Sequence, residues 1–244
     1  MNLPNPSRWW VAPALALSFC TKVIAAGMVP DTTVLRVNVA DGEATINVTN
    51  TDNTPSLLYT SLTSLDQGPQ PFLLASPPIA RVEPGEKQLV RFMLKPGQSI
   101  TRQTMGRVIF EGFPQRQTSE DTEIAVTVRQ NLPVIIHPKG LPENTQPWKE
   151  LSWSLEPSGL VVRNDSPYVV RLSQQLNLLP DNLSLQLPHS YILPDTQLQL
   201  ELPTPLQDAT QRTVRLYPAS QYGFQGQPYD VQLPCTPATN GCEP

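Results

Sequence analysis

The stretch EIAVTVRQNLPVIIHP, residues 123–138, decides the fold. Its apolar residues fall at 124, 126, 128, 132, 134 and 136, every even position except Gln130. A period of two marks a strand with one apolar face. Pro133 interrupts the run. Proline cannot donate to a β-ladder, so the strand is expected at a sheet edge or with a break. A long apolar edge strand is a hazard that proteins normally cover. Either it buries its own core or it is offered to another chain.

Outward from this stretch the same pattern repeats. TVLRVNVADGEATINVTN (33–50) places two alternating runs around Asp41-Gly42, a hairpin or tight-connection signal. SLLYTSLTSL (56–65) follows, then SPPIARVEPGEKQLVRFML (76–94), with Glu83-Pro84-Gly85-Glu86 as a turn between two strands. GRVIFEGF (106–113) is another strand, and PQRQTSEDT (114–122) a polar loop. About seven strands in roughly 110 residues is the count of an immunoglobulin-like sandwich.

The segment 138–148, PKGLPENTQPW, lacks periodicity and reads as a linker. Beyond it short strands resume in ELSWSL, GLVVRND, YVVRLSQQLNL, SLQL, QLQLEL, TVRLYP and YDVQLP. Leu172–Leu179 has some helical character, but its β-branched surroundings favour strand. The two halves show no sequence repeat. The expected organisation is 1–26 signal peptide, 27–138 first domain, 139–148 linker and 149–244 second domain, all-β throughout.

The chain has 244 residues, 16% of them charged, with a net charge of −4 and 28 prolines against 12 glycines. No Lys/Arg cluster provides a nucleic-acid footprint. At the N-terminus Arg8 precedes an apolar run from Trp9 to Phe19, and Ala25 and Ala26 follow. This is the pattern of a secretory signal cut near Ala25 or Ala26, with Lys22 as a blemish. The run is too short to span a bilayer. Cys20 raises a lipoprotein alternative, against which the bulky Phe19 argues. The remaining cysteines, Cys235 and Cys242, form an even pair in an exported chain and are expected to be a disulfide closing a short loop. His137 and His189 are the only histidines. Neither a nucleophile–His–carboxylate set nor a metal cluster emerges, so no enzyme, metal or cofactor is expected.

Several motifs resemble one family, the periplasmic PapD-like chaperones of bacterial chaperone–usher pili. LRVNVADGE (35–43) is similar to its first-strand motif, with Arg36 at the family's arginine. SPPIARVEPGEKQLVRF (76–92) resembles its Pro-Pro, Glu-Pro-Gly strand pair. RNDSPYVVRL (163–172) and ASQYGFQG (219–226) resemble the segment opening the second domain and its Asn-Asp-Tyr-Gly turn. The resemblance implies two immunoglobulin-like sandwiches at an angle. It implies periplasmic capture of pilus subunits that lack their own final strand, and delivery to an outer-membrane usher. The last strand of the first domain fills the subunit's groove, a form of β-augmentation. The donor residues carried over are Ile124, Val126 and Val128.

Two departures follow. The family's lysine on the lent strand, which with the first-strand arginine grips the subunit's C-terminal carboxylate, falls at Pro133. RQNLPVIIHPKG (129–140) and GRVIFEGFP (106–114) resemble instead a divergent, archaic branch. Candidate anchors are therefore Arg36, Arg107 and Arg129, since a guanidinium can hold a carboxylate by two parallel bonds. The family's interdomain ion network falls on His137 and Gln221, which cannot reproduce it in the same form; a pH-sensitive hinge contact is one outcome. An unloaded strand needs protection, and self-association through its edge is one route. The competing reading is a secreted two-domain β-sandwich adhesin or structural pilus protein.

Overall fold

The computed structural model describes residues 27–65, 72–114, 127–203 and 212–234. Ile124, Val126, Cys235, Cys242 and the signal segment lie outside these residues. The first domain contains β1 (Met28–Pro30), β2 (Leu35–Asn38), β3 (Glu43–Asn50), β4 (Ser56–Ser64) and β5 (Leu73–Ser76). It continues with β6 (Ile79–Val82), β7 (Lys87–Leu94), β8 (Thr104–Pro114) and β9 (Arg129–His137). One sheet has the order β1-β3-β7-β5 and the other β2-β9-β8-β4-β6. Between them lie Ile46, Val48, Val90, Phe92, Val108 and Phe110, all essentially inaccessible. Phe92 and Phe110 meet edge to face across the sandwich at 6.3 Å.

Alternation explains these strands, but their partners differ from the simplest reading. β2 and β3 do not form a hairpin: β2 pairs with β9 in parallel, whereas β3 pairs with β1 and β7. Asp41-Gly42 is the tight connection that changes sheets. Asp41 and Gly42 both donate to the Asn38 carbonyl, and Gly42 takes a φ of 74°, which favours glycine. Two short strands, β1 and β5, escape the sequence reading because three or four residues carry too little periodicity.

The second domain begins after a single 3-10 turn at Pro147–Glu150. Its strands are β10 (Ser152–Glu156), β11 (Gly159–Asn164), β12 (Val170–Arg171), β13 (Gln175–Leu179) and β14 (Leu183–Gln186). They are followed by β15 (Tyr191–Ile192), β16 (Thr196–Leu200), β17 (Thr213–Leu216) and β18 (Tyr229–Gln232). The sheets are β10-β11-β16, β12-β15 and β14-β13-β17-β18. The run YVVRLSQQLNL is strand as expected, but it divides into β12 and β13 at Leu172–Gln174. A separate core gathers Trp153, Leu160, Val162, Leu176, Val214 and Leu216.

Candidate functional site

The 123–138 stretch divides in two. Leu132, Val134 and Ile136 are 2–6% exposed and belong to the first domain's own core. Val128 has the same parity but is 38% exposed. The ladder to β8 ends at the pair Glu111↔Arg129, and β2 reaches β9 only from Val134 onward. Pro133 thus falls where β9 has β8 on one side and β2 has not yet begun. The expected edge is real up to Pro133, and beyond it the strand is interior. Ile124 and Val126 lie outside the described residues.

Register puts all three candidate arginines on the outer face of the five-stranded sheet. Arg36 stands beside Ile135, Arg107 beside Pro133, and Arg129 beside Glu111. Their surroundings differ. Arg36 donates to both oxygens of Glu143, at 2.9 and 2.8 Å, and also to Gln221 Oε1 across the domain boundary. Arg129 pairs with Glu111 at 2.9 Å. Arg107 is half-buried, and no carboxylate among the described residues pairs with it. It is also the direct neighbour of Pro133, the position where the resembled family carries a lysine.

The domains are clasped by hydrogen bonds and by an ion pair. Gln103 donates its backbone N–H to Pro167 O at 2.9 Å, and its Oε1 accepts the Val169 N–H at 2.9 Å. This fixes the Gln103 amide, so its NH2 faces His137 Nδ1 at 3.0 Å. The His137 Nδ1 therefore accepts, and Nε2 carries the proton to Leu141 O at 2.9 Å. A buried His137 holds the hinge. Thr33 Oγ1 donates to Tyr222 O at 2.7 Å, and Arg102 pairs with Asp195 at 2.5 Å.

Sequence reasoning missed Glu143, Gln103 and Arg171. Glu143 was hidden in a segment read as linker; a lone carboxylate among prolines was its only signal. Arg171 lies within the recognised RNDSPYVVRL motif, but nothing there distinguishes it from a surface arginine. It projects into the domain cleft with Arg36, Ile135, Glu143 and Gln221. Burial, and secondarily the charge of Arg107, hold its guanidinium below the ordinary arginine value. A neighbouring polar cavity of about 370 Å³ is lined by Arg107, Asn131, Gln174, His189 and Tyr191.

On the far part of the outer face, Leu57, Tyr59, Ile79 and Phe113 are exposed in adjacent rows. Among the described residues, no three His, Cys, Asp or Glu side chains form a metal-binding group.

Residues 27–142 match the family "Pili and flagellar-assembly chaperone, PapD N-terminal domain", and residues 146–229 match "Pili assembly chaperone PapD, C-terminal domain". The fimbrial chaperone YhcA of Escherichia coli K12, itself uncharacterised, is 40% identical over 211 residues, covering 86% of this chain and 92% of that protein. A chain from the structure of the Salmonella enterica SafA pilin in complex with the SafB chaperone superposes with a TM-score of 0.70 at 18% identity, covering 85% of this chain and 97% of that one. The YadV chaperone superposes at 0.69 with 19% identity, covering 84% and 99%. These last two share the fold, two immunoglobulin-like domains at an angle.

Proposed function

The chain belongs to the PapD-type pilus-assembly chaperones, and from that premise we propose that it lends the strand around Ile124, Val126 and Val128 to pilus subunits. It acts in the periplasm after removal of residues 1–26, and passes its cargo to an outer-membrane usher. The observation that carries this reading is the division of one alternating run. Leu132, Val134 and Ile136 fill the chaperone's own core, while Val128, on the same face, is left exposed where the β8 ladder ends. A groove missing one strand is satisfied by such an edge: its backbone groups complete the ladder and its alternate side chains fill the pockets.

The C-terminal carboxylate of the subunit is read at the outer face. Arg107 takes the lysine's part, being the cross-strand neighbour of Pro133. Arg36 and Arg129 are already engaged by Glu143 and Glu111. Release by exchange with the next subunit's own extension needs no nucleotide and no catalytic group. The adhesin alternative is not favoured by the family match.

The test is periplasmic capture by the mature chain, with mass spectrometry of what co-purifies. Each buried apolar side chain of this size contributes about 1.5–3 kcal/mol, so Val126→Asp is expected to lower recovery by at least about tenfold. The chaperone itself stays folded. A partner recovered equally by both forms overturns the donor role.

A further inference from the structure

Two of the candidate arginines have an acidic partner, and those partners are held differently. Glu111 stands on β8 directly across from Arg129, fixed by strand register, and its side chain is 16% exposed. Glu143 lies between the two domains' strands, and its side chain is 55% exposed. The backbone around it is pinned. Leu141 O accepts from His137 and Pro142 O from the Tyr168 hydroxyl, both at 2.9 Å, and Asn144 Oδ1 takes the Gln146 N–H at 2.8 Å. Glu143 can therefore leave Arg36 by rotating its own side chain into solvent, with no movement of the chain around it.

The contact is also a weak form of its kind. Both Glu143 oxygens converge on one nitrogen, Arg36 Nη2, at 2.9 and 2.8 Å. The parallel fork that makes guanidinium–carboxylate pairs strong is not formed. Arg36, Ile135, Glu143 and Gln221 line one cavity of about 40 Å³, space for a few waters. Glu143 and a second carboxylate thus compete for the same place.

We propose that Glu143 is a specificity-determining plug: its carboxylate occupies Arg36 in the empty chain and yields only to a ligand that also pairs with the lent strand. The inference rests on the chaperone reading. Every polypeptide ends in a carboxylate, and an open Arg36 would accept all of them alike. A lone carboxylate gains nothing by exchanging one exposed pair for another. It also competes against a tethered group whose effective concentration is on the order of millimolar. A subunit adds backbone pairing and buried side chains at Val126 and Val128, and so displaces the plug.

The test compares the chain from residue 27 with its Glu143→Ala variant. The probe is N-acetylated Gly-Ser-Gly-Ser, with a free or an amidated C-terminus, titrated while the Arg36 Nε–Hε resonance is followed. The free carboxylate is expected to give a saturable shift in Glu143→Ala at a concentration up to about fivefold below that needed by the wild type. The amidated peptide should give none. Equal responses in the two chains, or none in either, overturn the plug. Capture then separates a plug from a brace. If Glu143 only stiffens the hinge, its removal lowers recovery of the Val126-dependent subunit or leaves it unchanged, and either result overturns the proposal. The plug predicts recovery up to about fivefold higher, although the variant is no more stable. Adding Arg36→Gln to Glu143→Ala should erase both the peptide response and the gain; a gain that persists places the effect elsewhere, against the proposal. Val126-dependent capture without the peptide contrast overturns the plug alone. The peptide contrast without Val126-dependent capture overturns the chaperone reading alone.

Discussion

The two domains turn the same corner with the same residue. In the first, the buried Asn50 donates to Thr54 O and Val82 O, both at 2.9 Å, and accepts the Asp52 N–H at 3.0 Å. In the second, the buried Asn164 donates to Tyr168 O at 2.8 Å and Ile192 O at 3.2 Å, and accepts the Ser166 N–H at 3.2 Å. The offsets of two and four residues are shared, although the halves show no sequence repeat. An asparagine can satisfy two carbonyls and one N–H at once, which a sandwich needs where a strand changes sheets. What differs is location. The Asn50 corner lies at the end of the first domain away from the cleft, in the row of Ser56, Val82 and Pro114. The Asn164 corner is the docking platform: Pro167 O and Val169 N bind Gln103, and the Tyr168 hydroxyl donates to Pro142 O at 2.9 Å. One structural device thus serves shape alone in one domain and shape plus docking in the other.

The strongest challenge to this comparison is to remove each asparagine. Asn164→Ala leaves three buried backbone groups unsatisfied, a loss of about 3 kcal/mol or more. A chain starting at residue 27 has only Trp148 and Trp153, both packed on the second core, so fluorescence reports that domain. Urea unfolding should show the fluorescence transition moving in Asn164→Ala. In Asn50→Ala the loss should be of similar size but visible in the circular dichroism, with the fluorescence midpoint in place. A common shift in both variants would mean that the domains unfold as one unit.

A smaller effect is expected at the hinge. Glu143→Ala frees Arg36 from an exposed ion pair, costing about 1 kcal/mol or less in stability. Amide exchange at Val169 and Gln103 should nevertheless accelerate, while exchange at Asp52 should not. Equal acceleration at both corners would dissolve the distinction between docking and free ends.

The smallest concerns the cross-strand ion pairs that each domain carries, Glu111–Arg129 in one and Arg215–Asp230 in the other. Two hydrogen bonds from Arg215, both 2.7 Å, hold the Asp230 carboxyl below the ordinary carboxylate value. A depressed folded value contributes stability above the unfolded value, and that contribution disappears as pH falls through the folded value. The pair is exposed, so the contribution is slight. The melting-temperature difference between wild type and Asp230→Asn should therefore narrow from about pH 6 to about pH 3. A difference that does not change with pH would remove Asp230 as its source.

Much of this was readable in the chain. The all-β class follows from alternation, and a tight connection at Asp41-Gly42 from glycine chemistry, whereas the change of sheet there rests on the distant partners of β2 and β3. Arg36, Arg107 and Arg129 were singled out by motif position and prove to share one face. Yet their distinct states were not readable, because Glu143 reaches Arg36 across 107 residues and Glu111 reaches Arg129 across 18. Nor could Arg171 be noticed before the second domain was docked against the first.

Sequence by itself determined which side chains face inward along each strand, because parity is a local property of an extended backbone. It therefore marked 124 to 136 as one apolar face. Only the tertiary structure decided how that face is divided: β2 begins beside Val134, and β8 pairs no further than Arg129. Those limits depend on where distant segments start and stop, and on which cations find a carboxylate. Such matters belong to contacts between residues far apart in the chain, which no local pattern records.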